Sequence, residues 1–209
     1  MAQPLMVPNS TPTQGVPTPA FRLKMGPSLR LSDDELLELC TLNRDLQIER
    51  NANGDLEIMT PVQTWGGHRN AMLTAALVEW SKKDGTGLVF DSSAGFRLAN
   101  GAMRAPDAAW LLRSRWEELT PEEQQHFAPL CPDFVAEIRS RSDSLPRLQA
   151  KMTEWIENGA RLGWLLDPET RTVHVYRPDQ EVEVLEDPVE VSGEPELSGF
   201  VLEVERVWG

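Results

Sequence analysis

Two acidic side chains lie in segments whose apolar character predicts buried strands. Glu137 interrupts the apolar run Phe134–Ile138, and Asp107 follows Pro106 and opens the run Ala108–Leu112. Burial of a carboxylate costs free energy unless the group gains a cation or hydrogen bonds. Either the pleat turns Glu137 toward water, or a positively charged group holds it.

A shared metal ion is one way to satisfy both acids. If the two segments form adjacent strands, Asp107 and Glu137 can converge at a strand end, because neighbouring strands lie about 4.8 Å apart. Asp133 is a poorer partner, since four residues along one strand separate it from Glu137 by roughly 13 Å. Two carboxylates with open coordination positions suit Mg²⁺ or Mn²⁺, which keeps water ligands and bridges to a substrate phosphate.

Cationic side chains follow Glu137 in the sequence. Lys151 lies three residues after Leu148 and four before Trp155, so it borders the apolar face of a predicted helix and can direct its amine back toward the sheet. There the amine could orient an attacking water or neutralise charge that develops on phosphorus. Arg139 has the strand parity of Glu137 and could act likewise or bind a phosphate through two nitrogens.

A purely structural interpretation of the same acids also remains open. Asp107 and Glu137 could form salt bridges with Arg104 and Arg139 and do no chemistry. Other chemistries find little support, because the chain has no GxGxxG, GxxxxGK[ST], GxSxG, HExxH or paired CxxC motif. Its few histidines do not favour a zinc or histidine-dependent enzyme: His68, His126 and His174.

The charge of the chain limits the partners that it can bind. A formal net charge of −13 over 209 residues argues against tight, sequence-independent nucleic-acid binding, which depends on neutralising phosphates. The charge is uneven, however. Residues 139–151 contain four bases and one acid, whereas residues 178–209 contain ten acids and one base. A compact phosphate-facing site is compatible with this distribution.

Signals for membrane insertion or secretion are missing from the sequence. There is no run of about 18 apolar residues that would span a bilayer, and the N-terminus lacks the basic and apolar regions of a secretory signal. Cys40 and Cys131 are far apart and suit a reduced compartment. We therefore expect a cytoplasmic protein.

The elements that would position the acids follow from periodicity and turn residues. Residues 1–26 are rich in Pro, Thr, Gln and Ser and predict a disordered arm, and residues 27–209 predict a single domain. We expect helices over about 32–42, 68–83 and 145–158, with a further solvated helical region over about 114–127. A hairpin is expected around residues 53–55, and strands are expected in segments 87–98, 105–112, 133–138, 162–167 and 172–177. A strand, a helix and a returning strand form a crossover unit, which favours a mixed α/β sheet with helices on it.

Five segments occur in a fixed order along the chain: GFRL, RAPDAAW, PDFVAEIRSRSDS, LQAKMTEWIENGARLGWLLDP and VHVYRP. Together they resemble the Uma family, which belongs to the PD-(D/E)XK nuclease superfamily. The resemblance extends over about residues 31–208 and includes the N-terminal LSDDELLEL and NGDLEIMTP segments. It implies a restriction-endonuclease-like mixed sheet flanked by helices, with an N-terminal helix and β-hairpin extension.

The resemblance also implies roles for individual residues. Asp107 corresponds to the aspartate of the PD motif and Glu137 to the acid of the third core strand, and both would bind Mg²⁺ or Mn²⁺. Arg139 stands where the superfamily has lysine, which implies that Lys151 on the following helix supplies the lysine function.

The loop after Glu137 departs from the pattern of the family. Ser140–Arg141–Ser142–Asp143 stands where the family has SPSD, and the arginine adds a positive charge near the site. We predict that Arg139 and Arg141 bind phosphate. Glu49 and Glu79 could contribute a further carboxylate.

Three functions are compatible with these observations. The first is a Mg²⁺-dependent endonuclease that hydrolyses DNA, expected as a homodimer if it cuts both strands. The second is a non-catalytic binding or interaction module that presents its acidic C-terminal surface to a basic partner. The third is a metal-dependent hydrolase of a small phosphorylated substrate.

Overall fold

The computed structural model describes residues 21–26, 29–59 and 63–209, and these residues form two sheets, a small C-terminal strand pair and five helices. The helices are α1 (Asp33–Leu42), α2 (Thr64–Asp84), α3 (Arg113–Glu117), α4 (Leu145–Glu157) and α5 (Glu205–Trp208). The strands are β1 (Phe21–Leu23), β2 (Gln47–Arg50), β3 (Leu56–Met59), β4 (Gly87–Asp91), β5 (Phe96–Arg97), β6 (Met103–Arg104), β7 (Ala108–Leu112), β8 (Phe134–Ile138), β9 (Leu162–Asp167), β10 (Thr172–Tyr176), β11 (Glu183–Glu186), β12 (Glu190–Ser192) and β13 (Val201–Glu203).

The central sheet has six strands in the order β11-β10-β9-β8-β7-β4. Strands β8 and β9 are parallel, and the other neighbouring pairs are antiparallel. Helix α4 connects β8 to β9, since parallel neighbours require a crossover. The sheet is therefore mixed, as the sequence pattern predicted.

Alternation along the strands directs side chains into two apolar layers. On one face, α2 and the C-terminal segment pack against even-numbered positions of β7 and β8, including Trp110 and Phe134. On the other face, Met152 and Trp155 of α4 pack against odd-numbered positions, including Val135. The sheet is thus covered by helices on both faces, and the layer under α4 also contains the position of Glu137.

The N-terminal sheet has five strands in the order β1-β3-β2-β6-β5. It packs under α1 through a third apolar cluster that contains Leu36 and Ile48. Helix α1 begins with a capping box, in which Ser32 and Glu35 exchange side-chain and backbone hydrogen bonds. The β2–β3 hairpin turns at Gly54, whose φ of 88° suits glycine. The β2–β3 hairpin contacts helix α4 of the central layer, since Glu49 and Glu57 form ion pairs with Lys151 and Arg147.

Several boundaries differ from the predicted ones. Residues 1–20 of the predicted arm lie outside the described residues, and Phe21–Leu23 within it form β1, which pairs with β3. Helix α2 begins four residues earlier than predicted, at Thr64. The region over 114–127 is less helical than predicted, since it contains the end of α3 and one 3-10 turn, Glu123–Gln125. Within the parts of the chain that the structure describes, no helix is long and apolar enough to cross a membrane.

Candidate active site

Asp107 and Glu137 meet at one end of the central sheet. Ala108 of β7 pairs with Ala136 of β8, so the next position in the antiparallel register places Asp107 beside Glu137. Asp107, one residue before β7, therefore lies next to Glu137 of β8, which is the condition on which a shared metal ion depended. Glu137 is 5% exposed, and Asp107 is partly buried.

Both oxygens of Asp107 accept hydrogen bonds from neutral groups. The amide Nδ2 of Asn70 on α2 donates to Oδ1 at 2.8 Å, and the backbone N–H of Ile138 donates to Oδ2 at 2.7 Å. Within the described residues Asp107 has no ion-pair partner. Burial raises the pKa of Asp107, although these hydrogen bonds and the charge of Lys151 offset part of the rise.

Glu137 uses one oxygen for its contacts. The indole N–H of Trp155 donates to Oε1 at 3.1 Å, and Nζ of Lys151 lies 2.8 Å from the same atom. No donor among the described residues is hydrogen-bonded to Oε2. Burial raises the pKa of Glu137 to about 7, and the repulsion of Asp107 and Glu49 adds to this rise against the attraction of Lys151.

Lys151 reaches from α4 to three acceptors. Besides Glu137, its ammonium donates to Oε1 of Glu49 at 2.9 Å and to the carbonyl of Ala105 at 3.1 Å. Burial alone would lower the pKa of Lys151, but the two carboxylates raise it above its ordinary value. The amine is therefore a fixed, charged group, in the position that its spacing from Leu148 and Trp155 predicted.

Glu49 connects the site to the N-terminal sheet. It is 1% exposed, and its Oε1 also accepts the backbone N–H of Ala105 at 3.1 Å. Its Oε2 accepts from Nη1 of Arg104 at 2.9 Å. Burial would raise the pKa of Glu49, but Lys151 and Arg104 together lower it below its usual range.

Arg104 is the centre of an ion network that ties three strands of the N-terminal sheet to helix α4. Glu49 and Glu57 lie directly opposite each other on β2 and β3, an arrangement that repels unless a cation lies between them. Nη1 of Arg104 donates to Glu57 at 2.7 Å, and Nε donates to Glu154 of α4 at 2.6 Å. Burial would lower the pKa of Arg104, and the three carboxylates instead raise it. Arg147 of α4 adds a contact to Glu57 at 3.1 Å.

A purely structural role for Asp107 and Glu137 would require ion pairs with Arg104 and Arg139. These pairs do not form among the described residues. Arg139 donates to Asp167 at 2.7 Å rather than to Glu137. Arg104 contacts Glu49, Glu57 and Glu154 rather than Asp107. Asp133 lies at the opposite end of β8, where it accepts from the backbone N–H of Leu112 at 2.9 Å.

The other predicted residues are distributed unevenly. Arg141 is exposed at the tip of the loop that follows β8, whereas Arg139 is occupied by Asp167. Glu79 lies outside the site. Its carboxylate is on the surface, where Oε2 lies 3.5 Å from Nη1 of Arg206. Glu49 belongs to the site.

Two contributors were missed at the sequence level. Asn70 holds Asp107, but a single asparagine within a helical pattern carries no signal for such a contact. Trp155 was read only as part of an apolar face. A buried indole N–H usually finds an acceptor, and this requirement could have indicated its bond to Glu137.

The charge balance of the site fits a divalent cation. Glu49 pairs with both Lys151 and Arg104, whereas Glu137 pairs with Lys151 alone and Asp107 has no ion-pair partner among the described residues, so the positive charge beside these last two acids is incomplete. Asp107 and Glu137 could supply two hard oxygen ligands of the kind that Mg²⁺ prefers, in the small number that it takes from a protein. Across residues 21–26, 29–59 and 63–209, no three His, Cys, Asp or Glu side chains form a metal-binding group. The fit is therefore to an open, two-carboxylate site.

Comparison with known proteins gives a class for this fold and site. Residues 33–205 match the family described as Uma2, putative restriction endonuclease, and the chain therefore belongs to the Uma2 family. A crystal structure of a putative nuclease of the DUF820 group from Anabaena variabilis ATCC 29413 has a TM-score of 0.69 at 23% identity, covering 85% of this chain and 97% of that one. This similarity establishes the nuclease-like fold.

A DrdV–DNA complex solved by cryo-electron microscopy matches at a TM-score of 0.38 and 16% identity, covering 59% of this chain and 11% of that one. No curated protein matches the chain.

Proposed function

We propose that the protein is a Mg²⁺-dependent endonuclease that hydrolyses phosphodiester bonds of DNA. The observation that supports this most directly is the placement of Asp107 and Glu137 side by side at a strand end, with Lys151 as the one cation of the described residues in contact with Glu137. Membership of a family described as putative restriction endonuclease supports the choice of substrate. Mn²⁺ would substitute for Mg²⁺ at such a site.

Asp107 and Glu137 would hold the ion. Oε2 of Glu137 accepts no hydrogen bond from the described residues, so it can become a ligand without breaking the contacts of Oε1 to Trp155 and Lys151. The hydrogen bonds from Asn70 and Ile138 fix the orientation of the Asp107 carboxylate, as outer groups commonly do around a metal. When bound, the ion would supply Lewis-acid chemistry at the scissile phosphate.

Lys151 would act as the electrostatic group of the reaction. Its ammonium is already fixed beside the acids, so it costs no reorganisation when negative charge develops on the phosphate. Its ammonium contacts Glu137, Glu49 and the carbonyl of Ala105, and this neutral carbonyl, at 3.1 Å, is the acceptor that it would exchange most readily for a phosphate oxygen or a water.

The first test is calorimetric titration of Mn²⁺ into the wild type and the Asp107→Asn variant. We expect saturable binding in the wild type and none in the variant, followed by Mg²⁺-dependent cleavage on a panel of DNA substrates by the wild type alone. No Mn²⁺ binding by the wild type, even with a DNA oligonucleotide present, would contradict the proposal.

A non-catalytic interaction module is the alternative that the charge distribution favours. Residues 178–209 carry ten acids against one base, and β11 forms an edge of the central sheet. This function would be supported if the wild type bound a basic protein partner and neither Mn²⁺ nor DNA.

We further propose that the endonuclease acts as a homodimer, because a two-fold symmetric pair matches the two strands of a duplex. Sedimentation of the wild type with and without duplex DNA tests this proposal, and a monomer that cuts both strands would contradict it.

A further inference from the structure

Two arginines lie on the elements that Asp107 ties together. Arg69 precedes Asn70, which donates to Oδ1 of Asp107. Arg141 follows Ile138 by three positions, and the backbone N–H of Ile138 donates to Oδ2 of the same aspartate. One carboxylate thus fixes helix α2 and the end of β8 relative to each other, and each of these carries an arginine nearby.

The guanidinium of Arg69 is held in place by neutral groups. Its Nε donates to the carbonyl of Val207 at 2.9 Å, and its Nη2 donates to the carbonyl of Trp208 at 3.1 Å. Its Cζ lies 5.9 Å from the centre of the Trp65 ring. A guanidinium has five N–H donors, so three remain for a ligand after these two bonds.

Arg141 lies in a turn that is stabilised by hydrogen bonds between its own residues. Oδ2 of Asp143 accepts from the backbone N–H of Ser140 at 2.9 Å and from its hydroxyl at 2.7 Å. The turn therefore has its own hydrogen bonds and leaves the side chain of Arg141 exposed at its tip.

Neither arginine has a carboxylate partner among the described residues, although the protein is strongly acidic. In the described part of the chain, most arginines near the site are paired: Arg104, Arg139 and Arg147. The two hydrogen bonds of Asp107 bring the segments that carry Arg69 and Arg141 next to each other, and burial followed by the charge of Arg141 lowers the pKa of Arg69. The repulsion between two neighbouring cations destabilises the fold. An anion that binds between them replaces this repulsion with attraction.

We propose that Arg69 and Arg141 form a binding site for a backbone phosphate of the nucleic acid, beside the Asp107 and Glu137 site. This inference rests on the proposed function and specifies which residues hold its substrate. The sequence suggested Arg139 for phosphate binding, but Arg139 pairs with Asp167. In this proposal Arg69 has that role instead. The pair would position the strand without reading its sequence, as phosphate contacts do.

The test is the salt dependence of DNA binding in the wild type, Arg69→Gln, Arg141→Gln and Arg69→Lys. Binding of a short fluorescein-labelled duplex is measured by anisotropy over a series of salt concentrations with Ca²⁺ in place of Mg²⁺. Each phosphate contact that is lost should reduce the slope of log K against log salt by about one. Arg69→Lys should keep most of the slope, because it retains the charge.

Arg161→Gln is the matched control. Arg161 is also exposed and has no carboxylate partner in the described structure, but it precedes β9 at the end of the sheet opposite Glu137. Its replacement should leave the slope unchanged. Arg141→Gln is expected to fold normally, because the side chain of Arg141 forms no hydrogen bond or ion pair with the described residues. A changed slope in this variant is therefore not explained by misfolding.

The outcomes separate the two proposals. If the wild type binds and cleaves DNA while Arg69→Gln and Arg141→Gln keep the wild-type slope, the phosphate site is wrong and the endonuclease proposal stands. If the wild type binds no duplex at low salt and cleaves none, both are wrong. A loss of slope in both variants, with Mn²⁺ binding intact, is the expected result.

Discussion

Oε1 of Glu137 lies 2.8 Å from Nζ of Lys151, and this contact joins the end of β8 to α4 across the apolar layer between them. Both groups are largely removed from water. A buried ion pair of this kind adds little net stability, but removal of one partner leaves the other charge uncompensated. Variants of Glu137 and Lys151 can therefore show the effect of this ion pair on stability separately from its effect on metal binding and cleavage.

Lys151→Met should destabilise the fold by about 3 kcal/mol, because it leaves Glu137 and Glu49 without their shared cation. The double variant Lys151→Met/Glu137→Gln should lose less than the sum of the single variants, since the unpaired carboxylate is also gone. Urea unfolding measures these free energies. Lys83→Met, at an exposed position near the end of α2, is the control and should change stability by less than about 0.5 kcal/mol. Strict additivity would contradict a direct interaction.

Glu137→Gln should abolish Mn²⁺ binding and cleavage while the fold stays intact. The amide oxygen of glutamine can still accept the indole N–H of Trp155, so packing under α4 is preserved, whereas the negative charge that holds the ion is lost. Calorimetry measures the metal binding, and near-ultraviolet circular dichroism follows the tertiary packing. Asp133→Asn is a matched control, because Asp133 is an equally buried acid at the other end of β8 and its replacement should leave Mn²⁺ binding unchanged. Unfolding of Glu137→Gln with metal binding retained would favour a structural role.

Glu49 is expected to position Lys151 rather than to bind the ion. Glu49→Gln should keep Mn²⁺ binding close to that of the wild type and should reduce cleavage by roughly 10- to 100-fold, the range seen for supporting residues around metal sites. The loss should fall on kcat with KM little changed, since the amine is misplaced while the phosphate contacts remain. An affinity for Mn²⁺ that falls as far as in Asp107→Asn would instead make Glu49 a ligand.

The parts of this site that the sequence predicted are those set by local periodicity. The strand pattern placed Glu137 in a buried run, and helical spacing placed Lys151 at the border of an apolar face. Both positions depend on a few neighbouring residues. Strand spacing allowed Asp107 and Glu137 to converge if their segments were adjacent strands, and the family resemblance then assigned roles to both.

The remaining contacts depend on how distant segments meet. Glu49 and Arg104 are 55 positions apart, and their contact requires β6 to pair with β2, which no short pattern specifies. Arg139 was predicted to face the site from strand parity, but β8 ends at Ile138. Beyond the strand end parity no longer fixes the direction of a side chain, and Asp167 at the end of the parallel strand β9 is its partner.

The ion network around Glu57 should make stability depend on pH in the acid range. Burial would raise the pKa of Glu57, but Arg104 and then Arg147 lower it from 4.5 to about 2. Because this pKa is lower in the folded chain than in the unfolded chain, the stabilisation is complete above about pH 4.5 and declines as the pH falls toward 2. Its full size is roughly 3 kcal/mol at most, from the shift in pKa.

Urea unfolding of the wild type and Glu57→Gln between pH 7 and pH 2 tests this expectation. The variant should be less stable at pH 7, and the difference should shrink steadily below pH 4.5 as the wild-type carboxylate becomes protonated. Glu38→Gln, at an exposed position of α1, should differ little from the wild type at any pH. A difference between the wild type and Glu57→Gln that stays constant down to pH 2 would show that the charge of Glu57 does not supply the stability, and that only its packing in the N-terminal sheet does.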